Sequence, residues 1–118
     1  MKNYTTIEQS NRLIQLGVPV NSADCIYIGE STIPVWIDED KTYTDIINQD
    51  DVERKNITPC WSSGQLLYIL SKSYMFHSNY SYVYDTCNEY TCDEWIEEIK
   101  YRLEDGELDF SKLCIKQP

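Results

Sequence analysis

Apolar positions along the chain change their spacing several times, and each change marks an element. Residues 5–16 predict a helix. Thr5 followed by Glu8 has the spacing of a reciprocal cap, and Ile7, Leu13, Ile14 and Leu16 share a face that Ser10 and Asn11 interrupt. Gly17 suits the left-handed turn that ends a helix, and Pro19 prevents continuation. Residues 20–24 read as a turn. Cys25 to Ile28 and Ile33 to Ile37 read as two short β segments around Gly29-Glu30-Ser31, rich in β-branched residues. Pro34 has no N–H for a ladder and assigns the second segment to an edge. Residues 38–58 carry little periodicity. Thr44-Asp45-Ile46-Ile47 is compatible with the start of a short helix, and Asn48 to Asn56 reads as a surface loop.

The second half is richer in signals. Ile57-Thr58-Pro59-Cys60-Trp61 leads into a helix at about Ser62, capped by Ser62 or Ser63, with Leu66, Leu67, Ile69 and Leu70 as a dense apolar run. Residues 74–85 alternate and predict a β-hairpin that puts Tyr80, Tyr82 and Tyr84 on one face. Thr91 with Glu94 repeats the capping spacing and opens a helix from about Cys92 to Leu103, with Trp95, Ile96, Ile99 and Leu103 on one stripe. Gly106 lies just beyond it. Leu108, Phe110, Leu113 and Ile115 form a short tail element, strand or helix. The sum is one globular domain over residues 1–118, of α+β class, with about three helices packed on a small antiparallel sheet that contains a β-hairpin. Leu13, Leu16, Trp61, Leu66, Leu67, Leu70, Val83, Trp95, Ile99 and Leu103 are the expected core, with the helices bearing Trp61 and Trp95 covering one face of the sheet.

Charge narrows the function classes. Twenty Asp and Glu stand against ten Lys and Arg, a formal net charge of −10 in 118 residues. Gripping nucleic-acid phosphates needs the opposite sign, so direct nucleic-acid binding is not expected. No apolar run is long enough to cross a bilayer, so no membrane partner is expected either. The first residues lack the apolar stretch of a secretory signal, which makes a cytoplasmic location the expectation. Five scattered cysteines do not form a secreted disulfide framework and read as buried thiols.

The candidate chemistries are thin. Cys87, Cys92, Cys114 and His77 supply four zinc-ligand types, but only one pair is close in sequence, where structural zinc sites use two close pairs. Asp38-Glu39-Asp40 begins like a calcium loop, yet the required Gly and Glu positions hold Tyr43 and Gln49. Four isolated glycines cannot build a phosphate loop. Thiol or hydrolytic catalysis would have to use His77, the single histidine, and no nucleophile motif accompanies it. No catalytic, metal or cofactor site is therefore assigned, and no cofactor is expected.

Two stretches carry a resemblance. Glu8-Gln9-Ser10 through Leu13, Gly17 and Ala23-Asp24, followed by Pro59-Cys60-Trp61-Ser62 at a helix start, resemble a group of small proteins of no assigned activity found in gut bacteria and their phages or mobile elements. The resemblance implies such an origin and supplies no catalytic residue. The reading that remains is a small acidic, non-enzymatic protein-interaction or regulatory module. Its candidate surface is Tyr80, Tyr82 and Tyr84 with Glu97, Glu98, Glu104 and Asp105, facing an unknown, basic protein partner. Two alternatives stay open: an acidic DNA mimic that inhibits a nucleic-acid-binding protein, and a small thiol or hydrolase enzyme using His77.

Overall fold

A computed structural model describes residues 4–48, 57–73 and 91–113 of the chain. It is an α+β fold. In order, the elements are α1 (Ile7–Gln15), β1 (Cys25–Ile28), β2 (Val35–Trp36), α2 (Tyr43–Ile47), β3 (Ile57–Cys60), α3 (Ser63–Ser73) and α4 (Cys92–Glu104), with single 3-10 turns at Val20–Ser22 and Phe110–Lys112. The sheet is antiparallel with strand order β2-β1-β3.

The three longer helices form where caps and apolar spacing agree. In α1 the cap is Thr6, whose hydroxyl accepts from the Gln9 N–H at 3.1 Å while the Gln9 carboxamide accepts from the Thr6 N–H at 2.9 Å. This corrects the expected Thr5–Glu8 cap by one residue, because Thr5 is needed inside. Its hydroxyl lies 2.7 Å from that of Ser10, and the Trp61 N–H donates to it at 3.1 Å. The Ser10 that interrupts the apolar face is thus buried with a partner.

Both α1 and α4 end in the same way. Gly17 and Gly106 take left-handed φ values of 94° and 71°. Their N–H groups donate to Ile14 and Leu103, and the next residues, Val18 and Glu107, donate back to Leu13 and Arg102. In α1 this exit drives Val18 onto Leu13 in the core. Thr91 and Glu94 cap α4 as its sequence spacing predicts.

The main core lies between α1, α3 and α4. Leu13, Trp61, Leu66, Leu67, Leu70, Trp95 and Ile99 are buried there with Ile69 and Ile96. Leu16 and Leu103 pack at its margin, half-buried. Val83 and the predicted hairpin at 74–85 lie outside the described residues, as do most of the loop at 48–56 and the tail beyond Leu113. The antiparallel hairpin that the structure describes is β1–β2.

The stretch Ile57–Cys60, expected as a lead-in to α3, is instead strand β3. Pro59 argues against a strand, and the ladder shows why one forms. Antiparallel pairs alternate between hydrogen-bonded and open positions. The Ile37 N–H donates to the Asp24 carbonyl at 3.0 Å, so residues 24 and 26 of this chain segment bond towards β2. Cys25 and Tyr27 therefore bond towards β3, opposite Cys60 and Thr58, and Pro59 sits opposite Ile26 at an open position on a sheet edge.

Candidate protein-interaction site

The β2 edge carries apolar side chains on both of its faces. Val35 stands opposite Ile26 and Trp36 opposite Cys25, so the two point to opposite sides of the sheet. Both are exposed, Trp36 at 70% of its surface, with Ile33 at 71% beside them and Ile28 exposed on the next strand. Core strands hide at least one face; this one hides neither. The ladder alternation also aims the N–H and C=O of Trp36 away from β1, towards the open edge.

A groove of about 330 Å³ continues from the end of this edge. Asn21 to Asp24 form one wall, Ile37 to Glu39 with Lys41 and Thr42 the other, and Gln65, Tyr68 and Leu113 close it. Its floor is held rigidly. Asp24 accepts from the Ser62 N–H at 2.9 Å and from the Ser62 hydroxyl at 2.5 Å, and that hydroxyl accepts in turn from the Gln65 N–H, capping α3. The Gln65 carboxamide donates to the Ser22 carbonyl at 2.6 Å, and the buried Trp61 indole N–H donates to the Ser22 hydroxyl at 3.0 Å. The polar groups of the floor are therefore engaged in shaping the groove. Asp38 and Glu39 stand exposed at its rim with Lys41, and the exposed Asp40 lies between them in sequence.

The acidic surface expected on α4 is more nearly neutral than its sequence. Arg12 of α1 donates to Asp93 at 3.4 Å and to Glu97 at 2.6 Å, and Arg102 donates to Glu98 at 2.7 Å and to Glu107 at 3.3 Å. Glu104 and Asp105 remain exposed, and the Asp105 carboxylate raises the ionisation of the exposed Tyr101 phenol above its ordinary value of 10.0. Among the described residues Arg12 and Arg102 thus pair with three carboxylates of α4, Asp93, Glu97 and Glu98.

Tyr80, Tyr82, Tyr84 and His77 lie outside the described residues. Of the zinc-ligand types, Cys92 is buried in the first turn of α4, where burial pushes its thiol up to about 11, and Cys87, Cys114 and His77 also lie outside. No helix of the described residues is long and apolar enough to cross a membrane.

The Trp36 edge and the groove beside it were missed as a site by sequence reasoning. A signal existed: Pro34 marks an edge, and an edge strand reading Ile-Pro-Val-Trp-Ile is more apolar than solubility favours. Comparison of the chain with protein-family models, with curated proteins and with solved structures finds no match.

Proposed function

We propose that this chain is a small acidic, non-enzymatic interaction module that takes an extended segment of a partner protein along the β2 edge and into the adjoining groove. The observation that carries this reading is Trp36. A large aromatic at 70% exposure, on an open strand edge with Ile33 and Val35, has the character of a binding hot spot. Strand addition supplies main-chain hydrogen bonds to Trp36, and side-chain contacts on both faces select the partner. Asp38, Glu39 and Asp40 at the same end favour a partner strand whose apolar residues alternate with Lys or Arg.

The chain provides its own probe. Of its three tryptophans, Trp61 and Trp95 are 0% and 2% exposed, so an aqueous quencher such as acrylamide reads Trp36. A synthetic peptide of alternating Lys and Val is expected to blue-shift and protect that emission, with affinity falling as salt rises. Reversing Asp38 and Glu39 to Lys is expected to weaken binding by about tenfold or more, roughly 1.4 kcal/mol. Equal binding of a Glu–Val peptide, or unchanged quenching with either peptide, overturns the proposal.

A further inference from the structure

A second feature lies deeper in the sheet, on β1 and β3, on the face that Trp36 shares. Cys25 on β1 and Cys60 on β3 are direct register partners, so both side chains leave the same face of the sheet. Both thiols are free, and both are buried in a small cluster of their own with Tyr27, against which Tyr4 packs. The alternation argued above makes them a hydrogen-bonded pair, whose Cα atoms lie about 5.5 Å apart in such a ladder. That spacing falls within the range that a disulfide spans.

We propose that Cys25 and Cys60 are a redox-active dithiol that closes reversibly to a cross-strand disulfide when it meets a small-molecule disulfide such as oxidised glutathione.

The surroundings give the two sulfurs different roles. Cys60 donates its S–H to the Thr5 carbonyl at 3.3 Å, and the Thr5 hydroxyl lies within reach of its sulfur at 3.7 Å. The Cys25 thiol beside it, and then the Thr5 hydroxyl, stabilise a Cys60 thiolate and lower its ionisation below the ordinary 9.0 despite burial. Cys25 is pushed strongly the other way, first by Cys60 and then by burial, and the Asp24 carboxylate 3.6 Å from its sulfur further disfavours a thiolate there. Cys60 is thus the attacking thiolate and Cys25 the resolving thiol. Cys60 sulfur attacks one sulfur of the small disulfide, whose S–S bond breaks and expels one thiolate. Cys25 then loses its proton to solvent, attacks the Cys60 sulfur and expels the second thiolate. The protein loses two hydrogens to become a disulfide, and the small disulfide becomes two thiols.

Access runs through the short stretch that covers the pair. Thr5 is held to the start of α3 by its N–H to the Trp61 carbonyl at 2.9 Å and by the Tyr4–Ser62 bridge. Thr5 also bonds to Ser10, Tyr27 and the Trp61 N–H, so exposure of the pair requires a local opening that releases these contacts together while the helical core stays folded. A hydrogen-bonded pair holds its Cβ atoms wider than a relaxed disulfide prefers, so closure strains the ladder and leaves the bond easily reduced. Closure also withdraws the Cys60 hydrogen from the Thr5 carbonyl, leaving that acceptor to the Tyr27 phenol at 2.8 Å.

The test uses the full reduced chain in glutathione buffers of stepped ratio, quenched with acid, alkylated and digested with trypsin. The peptides 13–41 and 56–72 each contain one cysteine, so their linked mass reports this bond unambiguously. The linked species is expected to rise with oxidised glutathione and to vanish when reduced glutathione is restored. Cys25→Ser is expected to trap a glutathione adduct on Cys60, and Cys60→Ser to leave Cys25 unmodified. Recovery of both peptides as separate alkylated species from natively folded protein at the most oxidising ratio overturns the proposal, whatever the variants do.

Discussion

The helical core and the β2 edge treat the same residue type in opposite ways. Trp61 and Trp95 are enclosed by α1, α3 and α4, while Trp36 stands in solvent. In the core, the Trp61 indole has Ser22 as a partner and Thr5 has Ser10 and Trp61, while the buried Ser73 hydroxyl stands without one among the described residues. At the edge, Ile33, Val35 and Trp36 stand exposed. The first region explains why the chain folds, whereas packing among the described residues does not account for the exposed apolar side chains of the second. Buried apolar residues are what a fold requires; a cluster of exposed ones needs a separate reason.

The sharpest way to break this contrast is Trp61→Ala. The indole is fully buried and its N–H satisfies the Ser22 hydroxyl. Truncation leaves a large cavity and costs about 3–5 kcal/mol. Domains of this size have roughly 5–15 kcal/mol in total, so the urea midpoint of the variant is expected to fall by roughly a fifth or more, up to complete unfolding without urea. A midpoint near wild type would mean that Trp61 does not anchor the core.

Asp24 joins the two regions, and its removal should cost less. Its backbone carbonyl accepts from Ile37 at the edge while its carboxylate holds Ser62 at the start of α3. Asp24→Ala removes two acceptor contacts to Ser62 and keeps the backbone bond. The expected loss is about 1–3 kcal/mol, read as a shift in the urea midpoint with an unchanged slope. Asp24→Asn keeps an acceptor for the Ser62 N–H and is expected to fall between the two. If Asp24→Ala matched wild type, α3 would be capped by Ser62 alone.

The two regions also differ in how legible they are. Helix α4 can be read because its signals agree: a capping hydroxyl, an apolar stripe and a glycine at the exit; in α1 the ends are legible but the expected stripe is not, because Ile7 and Ile14 are exposed while Ser10 is buried beside Leu13. The Thr5–Thr6 error shows the limit of such signals. Two adjacent threonines offer equivalent caps, and only the buried partner Ser10, with Trp61 across 56 residues of chain, decides which one turns inward. Strand β3 is hidden for a related reason. Pro59 looks prohibitive until the register places it at an open position on an edge. The pairing of Cys25 with Cys60 is pure register and leaves no local trace. The groove is likewise assembled from residues 21–24, 37–39, 41–42, Gln65, Tyr68 and Leu113, so no window of sequence contains it. Acids could be counted on α4, but that Arg12 neutralises two of them is a tertiary fact.

The smallest expected effect on stability completes the comparison. Trp36→Ser removes the same large side chain as a core truncation, yet its surface is already in water and its strand has only two residues. Exposed substitutions of this kind stay within about 0.5 kcal/mol of wild type. Loss of β propensity from Trp to Ser acts against the edge, while removal of exposed apolar area aids solubility. The urea midpoint is therefore expected to stay near wild type, and acrylamide quenching of the remaining tryptophans to fall sharply, because Trp61 and Trp95 are shielded. A stability loss approaching that of Trp61→Ala would show that Trp36 is covered within the folded chain, and the edge would then have no free aromatic to offer a partner.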